Sequence, residues 1–186
     1  YQANKIRGIK QTHQPRPWIN DYGQFSLLPM TGKQPIFDEE KRASWFSHKA
    51  ESAHPYAYEV YLADYDTRVR MAPSERAAVF EVDFSRTSRQ EERWIIVDAF
   101  DGNSELEQID SHTLAGISRK NSGGVPANFA NYFIVRFTEP ILRLVRHELK
   151  GKRGKHTLVA VNLSAGKQGT PTTFYAASSF ISREQA

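Results

Sequence analysis

Val79-Phe80-Glu81-Val82-Asp83-Phe84 alternates strictly, placing Phe80, Val82 and Phe84 on one face of an extended chain and Glu81 and Asp83 on the other. A period of two with large apolar residues on one side predicts a half-buried strand. Trp94-Ile95-Ile96-Val97 is apolar at every position, which predicts a strand covered on both faces and central in its sheet, and Asp101-Gly102 after it is a turn signal. Working outward, runs of β-branched and aromatic residues recur at 58–62, 68–71, 113–118, 132–137, 157–163 and 174–181, punctuated by Gly123-Gly124 and by Gly151 and Gly154. Short strands at this spacing predict an all-β fold, an antiparallel β-sandwich. Segment 141–149 stays open. Leu142, Val145 and Leu149 recur at helical spacing, but Pro140 precedes them and the stretch reads equally as a strand.

A length of 186 residues suffices for one domain with a substantial core. No linker, internal repeat or low-complexity tract divides the chain, so 1–186 reads as a single sandwich domain. The 11 Phe, 8 Tyr and 3 Trp can fill that core and argue against disorder. Lys and Arg total 25 against 21 Asp and Glu, and a net charge of +4 is too small to point to nucleic acid or another polyanion. No apolar run approaches the roughly 18–20 residues of a membrane helix, so a soluble piece is expected. The first residues do not read as a signal peptide. With no cysteine, disulfides and thiolate metal sites are excluded, which leaves the compartment open.

The segment with the most binding chemistry is Thr12-His13-Gln14-Pro15-Arg16-Pro17-Trp18-Ile19-Asn20-Asp21-Tyr22-Gly23. Two prolines keep it out of a continuous sheet and restrict φ, so ordering it on binding costs less. An indole face can stack on the C–H face of a pyranose, and His13, Gln14 and Asp21 can hydrogen-bond hydroxyls. A Trp18 that merely plugs the sandwich edge, with polar neighbours satisfying turn backbone, fits the same residues. The six histidines, His13, His48, His54, His112, His147 and His156, form no HExxH pair and no short cluster with carboxylates, so no metal site is expected here. Glycoside hydrolysis needs two carboxyl groups flanking the scissile bond. The runs Asp38-Glu39-Glu40 and Glu91-Glu92 read instead as solvated charge, and no catalytic acid or base is assigned in this segment. Lys150-Gly151-Lys152-Arg153-Gly154-Lys155 could touch phosphate, but a hairpin loop kept soluble by its charge is the simpler account. Phosphate-binding loops, GxSxG elbows and dinucleotide fingerprints are absent.

Four blocks in order carry a family resemblance: Thr12-His13-Gln14-Pro15-x-Pro17-Trp18-x-x-Asp21-Tyr22-Gly23-Gln24-Phe25 with Leu27-Leu28-Pro29; Phe46-Ser47-His48-Lys49-Ala50-Glu51 through Pro55-Tyr56 and Tyr61-Leu62-x-Asp64-Tyr65 to Ser74-Glu75-Arg76-Ala77; Asn128-Phe129-Ala130-Asn131-Tyr132-Phe133; and Ser179-Phe180-Ile181-Ser182-x-Glu184-Gln185-Ala186. Together they resemble the N-terminal sandwich domain of glycoside hydrolase family 92. The resemblance implies a galactose-mutarotase-like supersandwich from an exported, calcium-dependent, inverting exo-α-mannosidase acting on mannose-containing glycans. It also implies that 1–186 is an excerpt, followed after Ala186 by a helical catalytic domain that supplies acid, base and calcium ligands. The segment alone would be inactive. The N-terminal loop would contribute substrate contacts through Trp18, as a wall of the leaving-group subsite, with His13, Gln14 and Asp21 as neighbours. A stand-alone carbohydrate-binding module, or a structural interaction module without catalysis, is the alternative.

Overall fold

Alternating apolar residues settle into ladders that a computed structural model describes for residues 3–11, 24–86, 91–121, 123–163 and 170–186. In chain order the strands are β1 (Lys5–Ile6), β2 (Ile9–Lys10), β3 (Ser26–Gly32), β4 (Ser44–Trp45), β5 (Ser52–His54), β6 (Ala57–Leu62), β7 (Thr67–Pro73), β8 (Ala77–Asp83), β9 (Glu92–Asp101), β10 (Glu105–Gln108), β11 (Thr113–Ser118), β12 (Asn131–Phe137), β13 (Ile141–Gly151), β14 (Gly154–Leu163) and β15 (Thr172–Ser179). Eight of them form one sheet in the order β10-β11-β12-β15-β8-β7-β6-β5, and five form a second in the order β13-β14-β9-β3-β2. Every pairing is antiparallel, as the sequence predicts for a sandwich. β1 and β4 make a separate two-stranded ribbon.

The strand that decided the fold behaves as its pattern requires. Phe80 and Val82 of β8, and Phe84 just beyond it, are buried while Glu81 is exposed, and Phe80 stacks on Phe174 of neighbouring β15 at 4.8 Å. β9 is the middle strand of its sheet, with Trp94, Ile95, Ile96 and Val97 all buried. Val97 lies opposite Leu27, on the face where Phe25 stacks on Phe133 of the other sheet at 4.1 Å. Trp94 and Ile96 lie on the reverse face by the period of two, with Met30 and Leu28 opposite them. Segment 33–46 covers that reverse face, and its Arg42 reaches Asp98 there.

One strand was not read from the sequence, and one segment left open between helix and strand is resolved. β3 contains Pro29, which removes a ladder donor, yet β2 pairs only with Ser26 and Leu27. Pro29 therefore has a neighbour on one side only, the position that spares its missing N–H. Segment 141–149 proves to be part of β13, an edge strand paired along its length with β14, with a bulge between Ile141 and Arg143. Its helical spacing was incidental, since Leu142 is 63% and Leu149 45% exposed.

The turn signal after β9 is real, but it passes the chain from one sheet to the other rather than closing a hairpin. Gly102 (φ 123°) and Asn103 (φ 58°) make the reversal. The basic stretch 150–155 is a hairpin, with Gly151 paired to Gly154. A Cβ on Gly151 would stand 2.1 Å from Asp101 Oδ1, whose carboxylate accepts the Arg153 N–H at 2.9 Å (Oδ2).

Candidate functional site

β2 ends at Lys10, β7 at Pro73 and β15 at Ser179, while β3 begins at Ser26, β8 at Ala77 and β12 at Asn131. Antiparallel registers such as Lys10↔Ser26, Pro73↔Ala78 and Tyr132↔Ser179 gather these termini at one end of the sandwich. Gln11 and Gln24, on either side of segment 12–23, stand at that end, and Ser178 Oγ of β15 donates to Gln11 Oε1 to tie the sheets together. His13, Gln14, Trp18 and Asp21, the residues singled out for substrate contact, lie outside the described residues. Their flanks alone are placed.

Two clefts open at this end. One, about 250 Å³, is lined mainly by apolar groups including Ile9, Phe25, Leu27 and Phe80, with Gln11 and Glu75 supplying polar atoms. The other, about 280 Å³, lies among Arg76, Ser178, Phe180 and Ile181, the last 71% exposed. Between Gln11, Gln24, Phe25 and Asn131 sits a narrower void. Gln24 Oε1 and Asn131 Oδ1 are buried there without a donor, a state that costs free energy until a donor arrives or an amide turns over.

A densely bonded ionic group among the described residues is one the sequence did not signal. Asp98 of β9 is buried and accepts from Arg42 Nη2 at 2.6 Å, from His156 Nε2 at 2.7 Å and from the Phe100 N–H at 2.8 Å. Burial pushes its carboxyl pKa upward, but His156 and Arg42 outweigh that and hold it below the ordinary carboxylate range. Arg42, equally buried, also donates to the Phe37 carbonyl at 2.7 Å, and its own carbonyl accepts from Tyr65 Oη. This network fastens the cover segment to the central strand.

Several members of the acidic runs have structural partners. Glu40 pairs with Arg7 at 2.8 Å, Asp38 caps the Lys41 N–H, and Glu92 pairs with Arg143. His48 stands between Glu51 Oε1 (2.6 Å from Nδ1) and the Ala3 carbonyl (2.8 Å from Nε2). With acceptors on both nitrogens, its pKa is raised, first by the Glu51 hydrogen bond. Among the described residues no group of three or more His, Asp or Glu side chains could hold a metal ion. Calcium takes six to eight oxygen ligands, and the two orphaned amide oxygens of Gln24 and Asn131 fall far short of that. The described residues therefore do not fit a calcium site.

An antiparallel two-sheet sandwich that gathers strand termini and clefts at one end presents that end as a scaffold for binding. Residues 1–181 match the glycosyl hydrolase family 92 N-terminal domain, and the chain belongs to that family. Among solved structures, the family GH92 inverting mannosidase BT2199 of Bacteroides thetaiotaomicron is 36% identical, with a TM-score of 0.86, covering 100% of this chain and 26% of that one. The family GH92 α-mannosidase BT3965 of the same organism, in complex with mannoimidazole, shares the fold at 22% identity and a TM-score of 0.81, covering 100% of this chain and 27% of that one. The chain thus spans about a quarter of the length of these relatives. No curated protein is significantly similar to it.

Proposed function

We propose that this chain is the substrate-shaping sandwich of an exo-acting, inverting α-mannosidase, with Trp18 as a wall of the leaving-group subsite and His13, Gln14 and Asp21 binding mannose hydroxyls beside it. The observation that carries the reading is the family match over residues 1–181. The 36% identity to an inverting mannosidase supports it, as does the position of Gln11 and Gln24 at the end where both clefts open. Acid, base and calcium ligands are assigned to a helical domain of the same enzyme, and mannose-containing glycans outside the cytoplasm are the substrates. The sandwich then orients the sugar and excludes water from one side of it, which raises the population of reactive geometry.

Trp18→Ala in the full enzyme is expected to lower kcat/KM on a mannoside by about tenfold or more, roughly 1.4 kcal/mol of transition-state binding. Unchanged kcat and KM would overturn the assignment. Titrating mannobiose into the isolated chain separates this reading from a stand-alone carbohydrate-binding module. A site completed by another domain gives no measurable binding, whereas saturable binding favours the module.

A further inference from the structure

Every second residue of β6, β7, β8 and β15 turns away from the core, since Val60, Val69, Phe80 and Phe174 are buried on the inner face. Two outward rows therefore run side by side across the eight-stranded sheet. One is Thr173, Glu81, Arg70, Glu59 and Ser52, each opposite the next across five strands. The other is Arg136, Tyr175, Val79 and Ala72, and Ala57 continues it on β6, two residues before Glu59. The small side chains of the second row leave a trough of about 370 Å³ whose lining draws on both rows. Tyr175, 50% exposed, stands at one end of that row. At the other end His54, opposite Ala57, stacks on the exposed ring of Tyr56 at 5.4 Å.

The first row is a ladder of ion pairs. Glu59 accepts from Arg70 Nε at 2.9 Å and pairs with Arg68 at 3.2 Å, while Arg70 reaches Glu81 at 3.9 Å. Across the face Arg68, Arg70 and Arg136 are matched by Glu59, Glu81 and Asp83, so no net charge draws an ion there. Held against one another, these groups set fixed donors beside fixed acceptors, and a hydroxyl, which both donates and accepts, joins the two without charge. The floor of Val79, Ala72 and Ala57, with the Tyr175 ring beside it, suits the C–H faces of sugar rings. An apolar partner helix would instead strand the ion pairs away from water. Five strands about 4.8 Å apart give the row a length of roughly 19 Å, longer than a disaccharide. Only the β7–β8 turn at Ser74, Glu75 and Arg76 separates the trough from the two clefts at the loop-bearing end.

We propose that this outer face is a second carbohydrate site, a platform for a neutral glycan chain of several rings. The chain lies along the two rows, its rings on Tyr175, Val79 and Ala72 and its hydroxyls on Arg70, Glu59 and Glu81. Each ring adds a weak contact, so affinity accumulates with chain length. Every contact comes from this chain and no bond is made or broken, so the site stands or falls separately from the function proposed above.

The test is calorimetric titration of the full chain with linear mannohexaose, and with mannobiose for comparison. One saturable site is expected for the hexaose, while mannobiose, which covers only part of the row, gives no measurable heat. Tyr175→Ala and Arg70→Met should each weaken hexaose binding about tenfold or more, the first by removing a stacking ring and the second a charge-assisted donor. Both side chains are about half exposed, so the fold tolerates their loss, and circular dichroism checks it. Arg143→Met, on the edge strand of the other sheet, should leave binding unchanged. Added salt should alter the affinity by no more than about twofold, because a neutral ligand displaces no counterions. Absence of saturable hexaose binding, equal affinity for mannobiose, a steep loss in salt, or unaltered affinity in folded Tyr175→Ala and Arg70→Met would overturn the proposal.

Discussion

Removing Arg42 should be among the costliest single changes in the molecule. Its guanidinium is 1% and the Asp98 carboxylate 2% exposed, with 2.6 Å between them. Arg42→Met keeps the volume but leaves a buried carboxylate with only His156 and one backbone N–H, and the Phe37 carbonyl loses a donor. Breaking a buried pair from one side costs about 3–5 kcal/mol. For a chain of this size that corresponds to a fall of roughly 6–20 °C in Tm, at about 2–4 °C per kcal/mol. Asp98→Leu alone should cost a similar amount, whereas the double variant should be cheaper than the sum by about 2–3 kcal/mol, because no charge is then stranded. The assay is urea unfolding followed by tryptophan fluorescence and circular dichroism. Asp98 has a lowered folded-state pKa, so its stabilising contribution is fully present above the ordinary carboxylate range. That contribution fades as pH falls through the folded value. Arg42→Met should move this loss to higher pH. A cost below about 1 kcal/mol for Arg42→Met, or strict additivity in the double variant, would refute the reasoning.

Gly116→Ala should destabilise the fold by about 1–3 kcal/mol in the same assay, because its Cβ would stand 2.1 Å from Cζ of Phe133, a fully buried ring already stacked on Phe25. Gly123→Ala, which meets no atom within 4 Å, has only its backbone preference (φ 104°) to lose and should cost less. His48 should titrate above the ordinary histidine value by NMR, and its raised pKa means that its contribution is present at low pH and lost as pH rises through the folded value. Glu51→Gln should bring that titration back toward the ordinary value.

Strands with one clean face were readable from sequence because one face meets core and the other water, as in β8. The fully apolar run in β9 was readable for a different reason, since nothing but cover on both faces accommodates it. β3 escaped because Pro29 is a legitimate objection to a strand, removed only by a neighbour, β2, too short to need the missing N–H. β13 was ambiguous because an exposed edge strand has no strict demand for alternation. The Arg42–Asp98–His156 network could not be seen at all: its members are 56 and 58 residues apart, and no local spacing encodes a meeting made by folding. Of the candidate site, sequence marked the loop, and the structure adds what surrounds its flanks: two clefts and two orphaned amide oxygens.

β13 has a wider consequence for how these molecules coexist at high concentration. An eleven-residue strand with one free side is a template for recruiting another chain, the first step toward fibrils. Here Arg143, Arg146, Glu148 and Lys150 crowd that strand with charge, and the bulge at Ile141/Arg143 spoils its flatness. Charge and a bulge along this edge are therefore what discourages the five-stranded sheet from recruiting another strand there.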